Sequence, residues 1–427
     1  MRLKNLIKRA KSKYPFSLLV ANAEGVIQDE PDLRAVFRQG NELILPEQTQ
    51  WMPLPPGVGL ITLPGCQPLG LDHQGQGVLV EGVQAVAATL PQGYTRLGLP
   101  AYEKVSEDTF LPLYGYTAVA WHDGEIWAAA HPTDNLLERW DPKHFNTDDL
   151  ESLVVRRMAE FPDNRIIEQL AHCALEYHCY TAQNMFYRRW EAGIPVSPVC
   201  NAGCLGCISL QPSESCPSPQ TRLTFIPSVE EIVEVASAHL ALAEDAMVSF
   251  GQGCEGEPSM QYKTIAAAIR EIRKRTDKGI INMNSNAGWT KAIEEIAAAG
   301  LDAIRVSINS PRIKWHQTYY QPQGFDLNDV GNSILICKAR GLQVSLNYLV
   351  FPGISDRQKE IEALVELINR YKVDMVQLRN LNIDPDLYWS ALQPNEQEDG
   401  PVLGLLTLIE TIRRETDAYV GSFSRQL

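Results

Sequence analysis

The sequence predicts an α/β protein in which a partial (β/α)6 barrel of the TIM type follows a separate β-rich N-terminal domain. Three observations support this fold class. The chain has 427 residues, which is more than one ordinary hydrophobic core serves. Before about residue 145, short β-forming runs alternate with proline and glycine. After residue 193, apolar runs and amphipathic runs alternate six times, which predicts parallel strands joined by helices.

Residues 1–145 are predicted to form the β-rich domain, and its clearest element is a hairpin. The β-forming segments 117–121 and 125–128 flank Asp123 and Gly124. An Asp-Gly pair readily adopts the positive φ angles of a tight turn between antiparallel strands. No motif in this domain indicates a ligand, and a role in substrate recognition is our hypothesis for it.

Residues 146–192 are predicted to form a helical bridge between the two domains. Within them, His172, Glu176 and Cys179 follow one another at spacings that would place them on one helix face. A second metal site and an ordinary helix face both fit this spacing. The ordinary face is the favoured interpretation, because these residue types often share a face without binding a metal.

The barrel is predicted over residues 193–385, and a helical extension over residues 386–427. Parallel strands place the loops that follow them on one rim, where ligands collect. We therefore expect polar residues at the strand ends to converge. The six predicted strands span residues 194–199, 246–250, 279–283, 303–308, 344–350 and 374–378.

The cysteine content favours metal binding over disulfide bonds. The first nine residues are basic and amphipathic, which predicts a short surface helix. No apolar stretch has the length of a signal peptide core or a membrane span. We therefore expect a cytoplasmic protein, with no membrane partner, whose clustered cysteines bind metal. The nine cysteines are Cys66, Cys173, Cys179, Cys200, Cys204, Cys207, Cys216, Cys254 and Cys337.

The overall charge argues against a nucleic-acid partner. The formal net charge is -14 and the sequence pI is about 5.1. Such a surface repels phosphate backbones, and only a local basic groove would overcome the repulsion.

Three cysteines with C-x3-C-x2-C spacing lie in residues 199–207, which we call the cysteine loop. A structural zinc ion needs four ligands, and Cys216 is the candidate for the fourth. Chance clustering of buried cysteines fits poorly with the glycine and asparagine spacers. An iron–sulfur cube held by Cys200, Cys204 and Cys207 would keep one iron open for reaction, and this interpretation explains the number, spacing and position of the cysteines together.

This pattern on the first of six βα loops resembles the radical S-adenosylmethionine (radical SAM) superfamily. The resemblance covers about residues 193–371. It implies that Cys200, Cys204 and Cys207 ligate a [4Fe-4S] cluster and that SAM chelates the fourth iron. It further implies reductive cleavage of SAM to a 5'-deoxyadenosyl radical, which takes hydrogen from a substrate. An electron donor such as ferredoxin or flavodoxin is implied as a partner.

Residues 251–258, which we call the Glu257 loop, strengthen the resemblance. Their last four residues resemble the superfamily's G-G-E-P motif, with Glu255 in place of the first glycine. A glutamate that faces the SAM ammonium would form a charge-assisted pair. Another departure is Gly206, because many members have an aromatic residue before the third cysteine. The resemblance implies as cofactor-binding residues Glu255, Gly256, Glu257, Pro258, Asn284, Asn286, Ser307, Asn309, Val350 and Gly353.

Cys254 is the candidate catalytic residue. Its position in the Glu257 loop would let a thiol donate a hydrogen atom or bind a further metal. The competing interpretation is a small buried side chain, which is the commoner role of cysteine.

The predicted function is therefore a radical SAM enzyme whose substrate the sequence does not identify. The fifth-strand segment, residues 347–356, is similar to that of activating and peptide-modifying members, which favours a protein, a peptide or a cofactor precursor. RNA modification is the next alternative. A non-enzymatic iron–sulfur or zinc protein that senses redox state would keep the cysteines but would not need Glu257.

Overall fold

The structure is a computed structural model that describes residues 2–3, 14–106, 108–134, 137–211 and 218–423. Cys216 and most of the segment predicted as an N-terminal surface helix lie outside these residues, and Arg2–Leu3 form a strand. Within the described ranges, no helix combines the length and apolar character needed to cross a membrane.

The N-terminal region is rich in short strands, which pair antiparallel except for Arg2–Leu3, which pairs in parallel with Glu42–Ile44. The hairpin around Asp123 and Gly124 is confirmed, with φ angles of 49° and 86° at the turn. Among the described residues the strands of this region form sheets of four, ten and two strands. The strands are Arg2–Leu3, Ser17–Ala21, Ile27–Arg34, Phe37–Gln39, Glu42–Ile44, Met52–Pro53, Gly59–Leu63, Cys66–Leu71, Gly77–Leu79, Gln84–Thr89, Tyr94–Arg96, Leu99–Pro100, Tyr102–Lys104, Thr117–His122, Glu125–Ala128 and Ala130–Pro132.

The bridge contains three helices, α1 (Leu150–Glu160), α2 (Arg165–Leu175) and α3 (Tyr180–Tyr187). The single helix face expected for His172, Glu176 and Cys179 is wrong, because α2 ends at Leu175. His178 has a φ of 51°, which a continuing helix does not allow. Cys179 instead precedes the first turn of α3.

The barrel sheet has seven parallel strands in chain order, one more than predicted. The first strand predicted at 194–199 is wrong: the strand is Arg189–Gly193 and ends before that segment, since Pro195 and Pro198 cannot donate to a strand ladder. The last strand, Tyr419–Gly421, lies in the extension predicted as helical. It is too short to be recognised from its sequence. The strands are β1 (Arg189–Gly193), β2 (Glu244–Phe250), β3 (Ile280–Ser285), β4 (Ala303–Ile308), β5 (Gln343–Val350), β6 (Met375–Asn380) and β7 (Tyr419–Gly421).

The connections between the barrel strands are mainly helical. The capping box predicted at Ser228 is present, because its side chain accepts from the Glu231 N–H and the Glu231 carboxylate accepts from the Ser228 N–H. The helices are α4 (Val229–Leu242), α5 (Tyr262–Arg275), α6 (Thr290–Ala298), α7 (Ile313–Tyr320), α8 (Leu327–Ala339), α9 (Gln358–Tyr371), α10 (Pro385–Leu392), α11 (Glu396–Asp399) and α12 (Leu405–Glu415), with 3-10 turns at Gln48–Gln50, Leu137–Trp140, Pro142–His144 and Pro258–Gln261.

The main hydrophobic core lies between the barrel sheet and its helices. On β4, Ile304, Val306 and Ile308 are buried in this core, and Arg305 alternates with them. The Arg305 guanidinium reaches Glu191 of β1, with nitrogen–oxygen distances of 2.7 and 2.8 Å. Since β1 and β4 are not neighbours in the sheet, this pair crosses its concave face, which we call the barrel lumen.

The N-terminal region packs directly on the loops that follow β5 and β6. The Gly40 N–H donates to the Pro352 carbonyl at 3.0 Å. The Arg96 N–H donates to the Asn380 side-chain oxygen at 2.8 Å, and the Arg96 guanidinium donates to the Leu381 carbonyl at 2.9 Å. A second hydrophobic cluster includes residues from both regions. The β-rich region therefore covers part of the rim where ligands of such sheets collect.

Candidate active site

The cysteine loop follows β1 on the rim of the barrel and packs against α7. The Gly203 N–H donates to the Tyr320 carbonyl at 2.9 Å, and the Leu205 N–H donates to the Tyr319 carbonyl at 3.0 Å. These bonds hold the loop against the C-terminal end of a helix that the sequence did not predict. The position of the three cysteines is therefore set by two elements, β1 and α7.

The three thiols lie close enough to influence one another. Burial raises the pKa of Cys200, and the carboxylate of Glu257 raises it further. Burial also raises the pKa of Cys204, followed by the effects of Cys200 and Cys207. Cysteines bind metals as thiolates, so a positively charged group between these sulfurs would stabilise the ligand form.

No group of three or more His, Cys, Asp or Glu side chains is arranged to hold a metal ion in the part of the chain that the structure describes. A cubane cluster needs a different arrangement of ligands from a single metal ion, because each of its cysteine ligands binds a different iron atom.

Arg222 supplies a positive charge beside the third cysteine. Its guanidinium donates to the Cys207 sulfur at 3.3 Å and to the Ser209 hydroxyl at 3.1 Å. The Ser209 hydroxyl donates in turn to the Glu255 carbonyl at 3.1 Å. Arg222 therefore links the cysteine loop to the Glu257 loop, and hydrogen bonds to ligating sulfurs tune iron–sulfur sites.

The Glu257 loop is hydrogen-bonded to the chain that leads into the cysteine loop. The Gly256 N–H donates to the Ser197 carbonyl at 2.7 Å, and the Glu257 N–H donates to the Val199 carbonyl at 2.9 Å. A Cβ atom at Gly256 would lie 2.1 Å from the Val199 oxygen, so only glycine permits this approach. Pro258 opens the 3-10 turn that follows.

The Glu257 carboxylate is buried at the centre of the site. It accepts from the Ser285 hydroxyl at 2.6 Å, from the Ser259 N–H at 3.0 Å and from the Asn286 N–H at 2.9 Å. Burial raises its pKa, and these donors oppose the shift. The Asn286 side chain also donates to Asn201 of the cysteine loop at 2.7 Å. Glu257 and Asn286 therefore tie β3 to both loops.

Glu255 stabilises the backbone beneath the site. Its carboxylate accepts four backbone N–H bonds of 2.7 to 2.9 Å, from Val196 and Ser197 on one oxygen and from Gly251 and Gln252 on the other. Burial raises its pKa to about 7. The structure thus gives the side chain at the unusual position of the motif a clear structural role.

Several buried polar atoms around the site have no hydrogen-bond partner among the described residues. They are the Tyr320 hydroxyl, the Ser259 hydroxyl and the Asn309 side-chain oxygen. Cys204, Glu257 and Cys200 all affect the Tyr320 hydroxyl electrostatically, which places it beside both loops. Buried polar groups normally have partners. A polar cofactor between these loops would supply them, so the residues fit a cluster with bound SAM.

Tyr319 explains the absence of an aromatic residue before the third cysteine. A Cβ atom at Gly206 would lie 3.2 Å from the Tyr319 hydroxyl and 3.6 Å from Leu381 and Ile383. The space that an aromatic side chain at this position would take is occupied by Tyr319 of α7. The sequence did not reveal this, because α7 lies in a segment that was interpreted as a connection.

Two of the residues implied as strand-end contacts lie along the lumen. The Asn284 amide donates to the Gly251 carbonyl at 2.9 Å and its oxygen accepts from Arg305 at 3.2 Å. Ser307 lies two residues beyond Arg305 on the same face of β4. Both side chains lie near the rim, on the adjacent strands β3 and β4.

Two other implied residues, Val350 and Gly353, and the candidate catalytic residue Cys254 are not brought to the cysteine loop. Val350 is buried in the main core, and Gly353 packs against Gly40 of the N-terminal region. Cys254 is buried and its thiol lies against Cys173 of α2. The hydrogen bond with Cys173 and burial raise the pKa of Cys254, which keeps the thiol protonated at neutral pH.

Residues 194–368 match the family model of the radical SAM superfamily. The matched residues span the barrel from the segment before the cysteine loop to α9, so this part of the chain resembles the radical SAM superfamily. Radical SAM proteins bind a [4Fe-4S] cluster and SAM, and the match supports these cofactors, which were predicted from the cysteine loop, for the matched region.

Solved structures of radical SAM enzymes are similar to this chain at low sequence identity. Streptococcus suis SuiB is 12% identical, with a TM-score of 0.38 over 65% of this chain and 60% of SuiB. The AdoMet-bound anSMEcpe is 15% identical, with a TM-score of 0.35 over 45% of this chain and 52% of that protein. A radical SAM methyltransferase from Sphaerobacter thermophilus is 16% identical, with a TM-score of 0.37 over 65% of this chain and 94% of that enzyme. No curated protein matches the chain in sequence.

Proposed function

We propose that this protein reductively cleaves SAM at a [4Fe-4S] cluster held by Cys200, Cys204 and Cys207, and that the resulting radical abstracts hydrogen from a substrate. The radical SAM family assignment supports the chemistry. The bound cluster and SAM would supply an organic radical, and the protein would supply binding, orientation and exclusion of water.

One observation supports the proposal most directly. The Glu257 loop is hydrogen-bonded to residues 197 and 199, so a buried carboxylate lies beside a loop of three thiols. A structural metal site would need the thiols but not a carboxylate, which adds a buried negative charge next to anionic ligands. A ligand that carries an ammonium group accounts for both features.

The roles of individual side chains follow from their contacts. Glu257 would accept a hydrogen bond from the SAM ammonium, because Ser285 and Asn286 already fix its orientation. Tyr320 and Asn309 would provide polar contacts to other parts of the cofactor, since each has an unpartnered buried atom. Arg222 would donate a hydrogen bond to the sulfur of Cys207 as a cluster ligand.

The N-terminal region would help to select the substrate, because it covers the rim beside β5 and β6. A protein, a peptide or a cofactor precursor is the substrate class that we favour from the sequence. Reduction of the cluster would require a donor such as ferredoxin or flavodoxin.

Anaerobic reconstitution with iron and sulfide, followed by dithionite and SAM, tests the proposal. We expect release of 5'-deoxyadenosine in the absence of substrate. The Cys204→Ala variant should lose this activity and the spectroscopic signal of the reduced cluster. Cys337→Ala is the matched control, because Cys337 is a buried cysteine of α8 outside the site and its loss should leave both readouts intact.

Binding of zinc by the three cysteines without cleavage of SAM would contradict the proposal. So would equal 5'-deoxyadenosine release by wild type and Cys204→Ala.

A further inference from the structure

The barrel lumen is lined by polar and charged side chains. In a barrel whose lumen is part of the hydrophobic core, branched apolar residues occupy these positions. Here Ile304 and Val306 of β4 belong to the core on the helix side, whereas the lumen face carries polar residues together with Met247 and Met375. The polar lumen is therefore suited to a ligand. Its polar residues include Glu191, Ser249, Asn282, Asn284, Arg305, Asn347, Gln377 and Arg379.

The two guanidinium groups of the lumen differ in their partners. Arg305 forms a bidentate ion pair with Glu191. Arg379 donates to the side-chain oxygens of Asn347 at 3.1 Å and Gln377 at 3.0 Å, and to that of Gln92 from the N-terminal region. Within the described part of the chain, no carboxylate forms an ion pair with Arg379.

The carboxylates nearest to Arg379 are engaged elsewhere. Glu191 and Asp134 are close enough to raise its pKa. Glu191 is bound by Arg305, and an Asp134 oxygen accepts from the N–H groups of Ser422 and Phe423 at 2.9 and 3.2 Å. Burial and the charge of Arg305 lower the pKa of Arg379 to about 10, so the group stays positive at neutral pH.

The side-chain hydrogen bonds of Arg379 to described residues therefore go to neutral amide oxygens, while Glu191 and Asp134 act on it through their charges. A hydrogen bond from a guanidinium to a carboxylate is stronger than one to an amide oxygen, because the acceptor is charged. A ligand carboxylate would therefore be a stronger partner for Arg379 than the Gln92 amide.

Gln92 connects Arg379 to the surface. It lines a groove of about 80 Å³ between the N-terminal region and residues 138–142, together with Tyr94 and Trp140. The hydrogen bond that Arg379 donates to Gln92 is exposed, whereas those that it donates to Asn347 and Gln377 are partly buried. Gln92 is therefore the partner that an incoming anion would replace most easily.

We propose that Arg379 binds a carboxylate group of the substrate in the lumen, that Asn347 and Gln377 orient the guanidinium, and that the ligand displaces Gln92. A planar guanidinium matches the two oxygens of a carboxylate. The assignment of this ligand as a substrate rests on the proposed function, whereas the anion site itself does not.

Ligand-observed NMR with acetate as the probe tests the anion site, and acetamide is its neutral counterpart of the same shape. We expect wild type to bind acetate and not acetamide. Arg379→Gln should weaken acetate binding at least about 10-fold, as expected for loss of a charged hydrogen-bond donor. Gln92→Ala should strengthen it, because a competing acceptor is removed. Arg370→Gln is the control, since Arg370 is exposed on α9 and should have no effect.

Arg379→Lys is a second variant that separates loss of the charge from misfolding of Arg379→Gln. It keeps the positive charge, so it should bind acetate with intermediate strength. Equal acetate binding by wild type and Arg379→Gln would overturn the proposal, and so would equal binding of acetate and acetamide. The wild-type SAM cleavage assay is independent of acetate. Its failure would reject the proposed function, whereas absent acetate binding with intact SAM cleavage would reject only the anion site.

Discussion

Cys254 lies in the Glu257 loop, and its thiol lies against the thiol of Cys173 inside the core. The hydrogen bond between them joins the loop after β2 to helix α2. Cys254 is 4% exposed and Cys173 is 1% exposed. This arrangement favours the interpretation of Cys254 as a buried packing residue over its candidate role as a catalytic thiol.

The first prediction is that Cys254→Ala cleaves SAM at a rate within about 2-fold of wild type. The variant removes one buried sulfur, so its free energy of unfolding should fall by about 1 kcal/mol. Release of 5'-deoxyadenosine and urea denaturation measure the two effects. A large loss of cleavage with an intact cluster signal would restore the catalytic role, and Cys337→Ala controls for the loss of a buried thiol.

The second prediction concerns Gly206 and Tyr319, which share one space. Gly206→Phe should lower the free energy of unfolding by about 1 to 3 kcal/mol, because the new ring overlaps with Tyr319. Adding Tyr319→Gly should then cost less than it costs in the wild-type background. Urea denaturation of the four proteins in a double-mutant cycle measures this coupling. Additive effects would show that the two positions do not compete.

The third prediction tests the packing of the N-terminal region on the rim. Gly353 has a φ of 85°, and a Cβ atom there would lie 2.2 Å from the Gly40 nitrogen. Gly353→Ala should therefore disrupt the contact and speed proteolysis between the two regions. Gly341→Ala is the matched control, because Gly341 has a φ of 77° but no atom within 4 Å of the added Cβ. It should lose only about 1 kcal/mol of unfolding free energy from backbone strain. Equal proteolysis rates in the two variants would contradict the prediction.

The fourth prediction is a fall in stability as pH rises, caused by Glu360. Burial raises the pKa of Glu360 to about 8, although Ser310 and Tyr348 donate to it. The folded state therefore holds this proton more tightly than the unfolded state, where the group has its usual pKa. The stabilisation is complete below the unfolded pKa and is lost as pH rises through the folded pKa.

Urea denaturation at about pH 5 and about pH 9 measures this effect. The free energy of unfolding should fall by on the order of 4 kcal/mol more in wild type than in Glu360→Gln, because about 3 pH units separate pH 5 from the folded pKa and each contributes about 1.4 kcal/mol. Glu362→Gln is the control, because Glu362 is exposed on the same helix and should keep the wild-type dependence. The same pH dependence in Glu360→Gln and wild type would assign the effect to other groups. Glu255 and Asp356 also have pKa values raised to about 7.

The sequence predicted those features that depend on short-range patterns. The alternation that predicted the parallel sheet is present in β2 to β6. The hairpin around Asp123-Gly124 and the capping box at Ser228 are local hydrogen-bonding motifs, and both are confirmed. The spacing of the cysteines predicted the match of residues 194–368 to the radical SAM model for the same reason, because all three proposed ligands lie on one loop.

The errors lie where local patterns compete with long-range contacts. Residues 194–199 are apolar, but Pro195 and Pro198 prevent strand pairing, and Arg189–Gly193 pair instead. Helix α7 was missed because its apolar face packs on the cysteine loop rather than on the main core. Arg222 was missed because its contact with Cys207 joins residues 15 positions apart through a loop.

The cysteine loop and the Glu257 loop, read from the sequence alone, predicted the resemblance to the radical SAM superfamily, because each is a continuous segment whose chemistry depends on its own spacing. Only the tertiary structure decided which side chains share the site. It buries the Cys254 side chain in the core and brings Tyr319 beside Gly206. It also places Arg379 in the lumen, with amide partners from the barrel and from the N-terminal region. These relationships arise when distant strands and helices pack together, and no local pattern in the sequence encodes them.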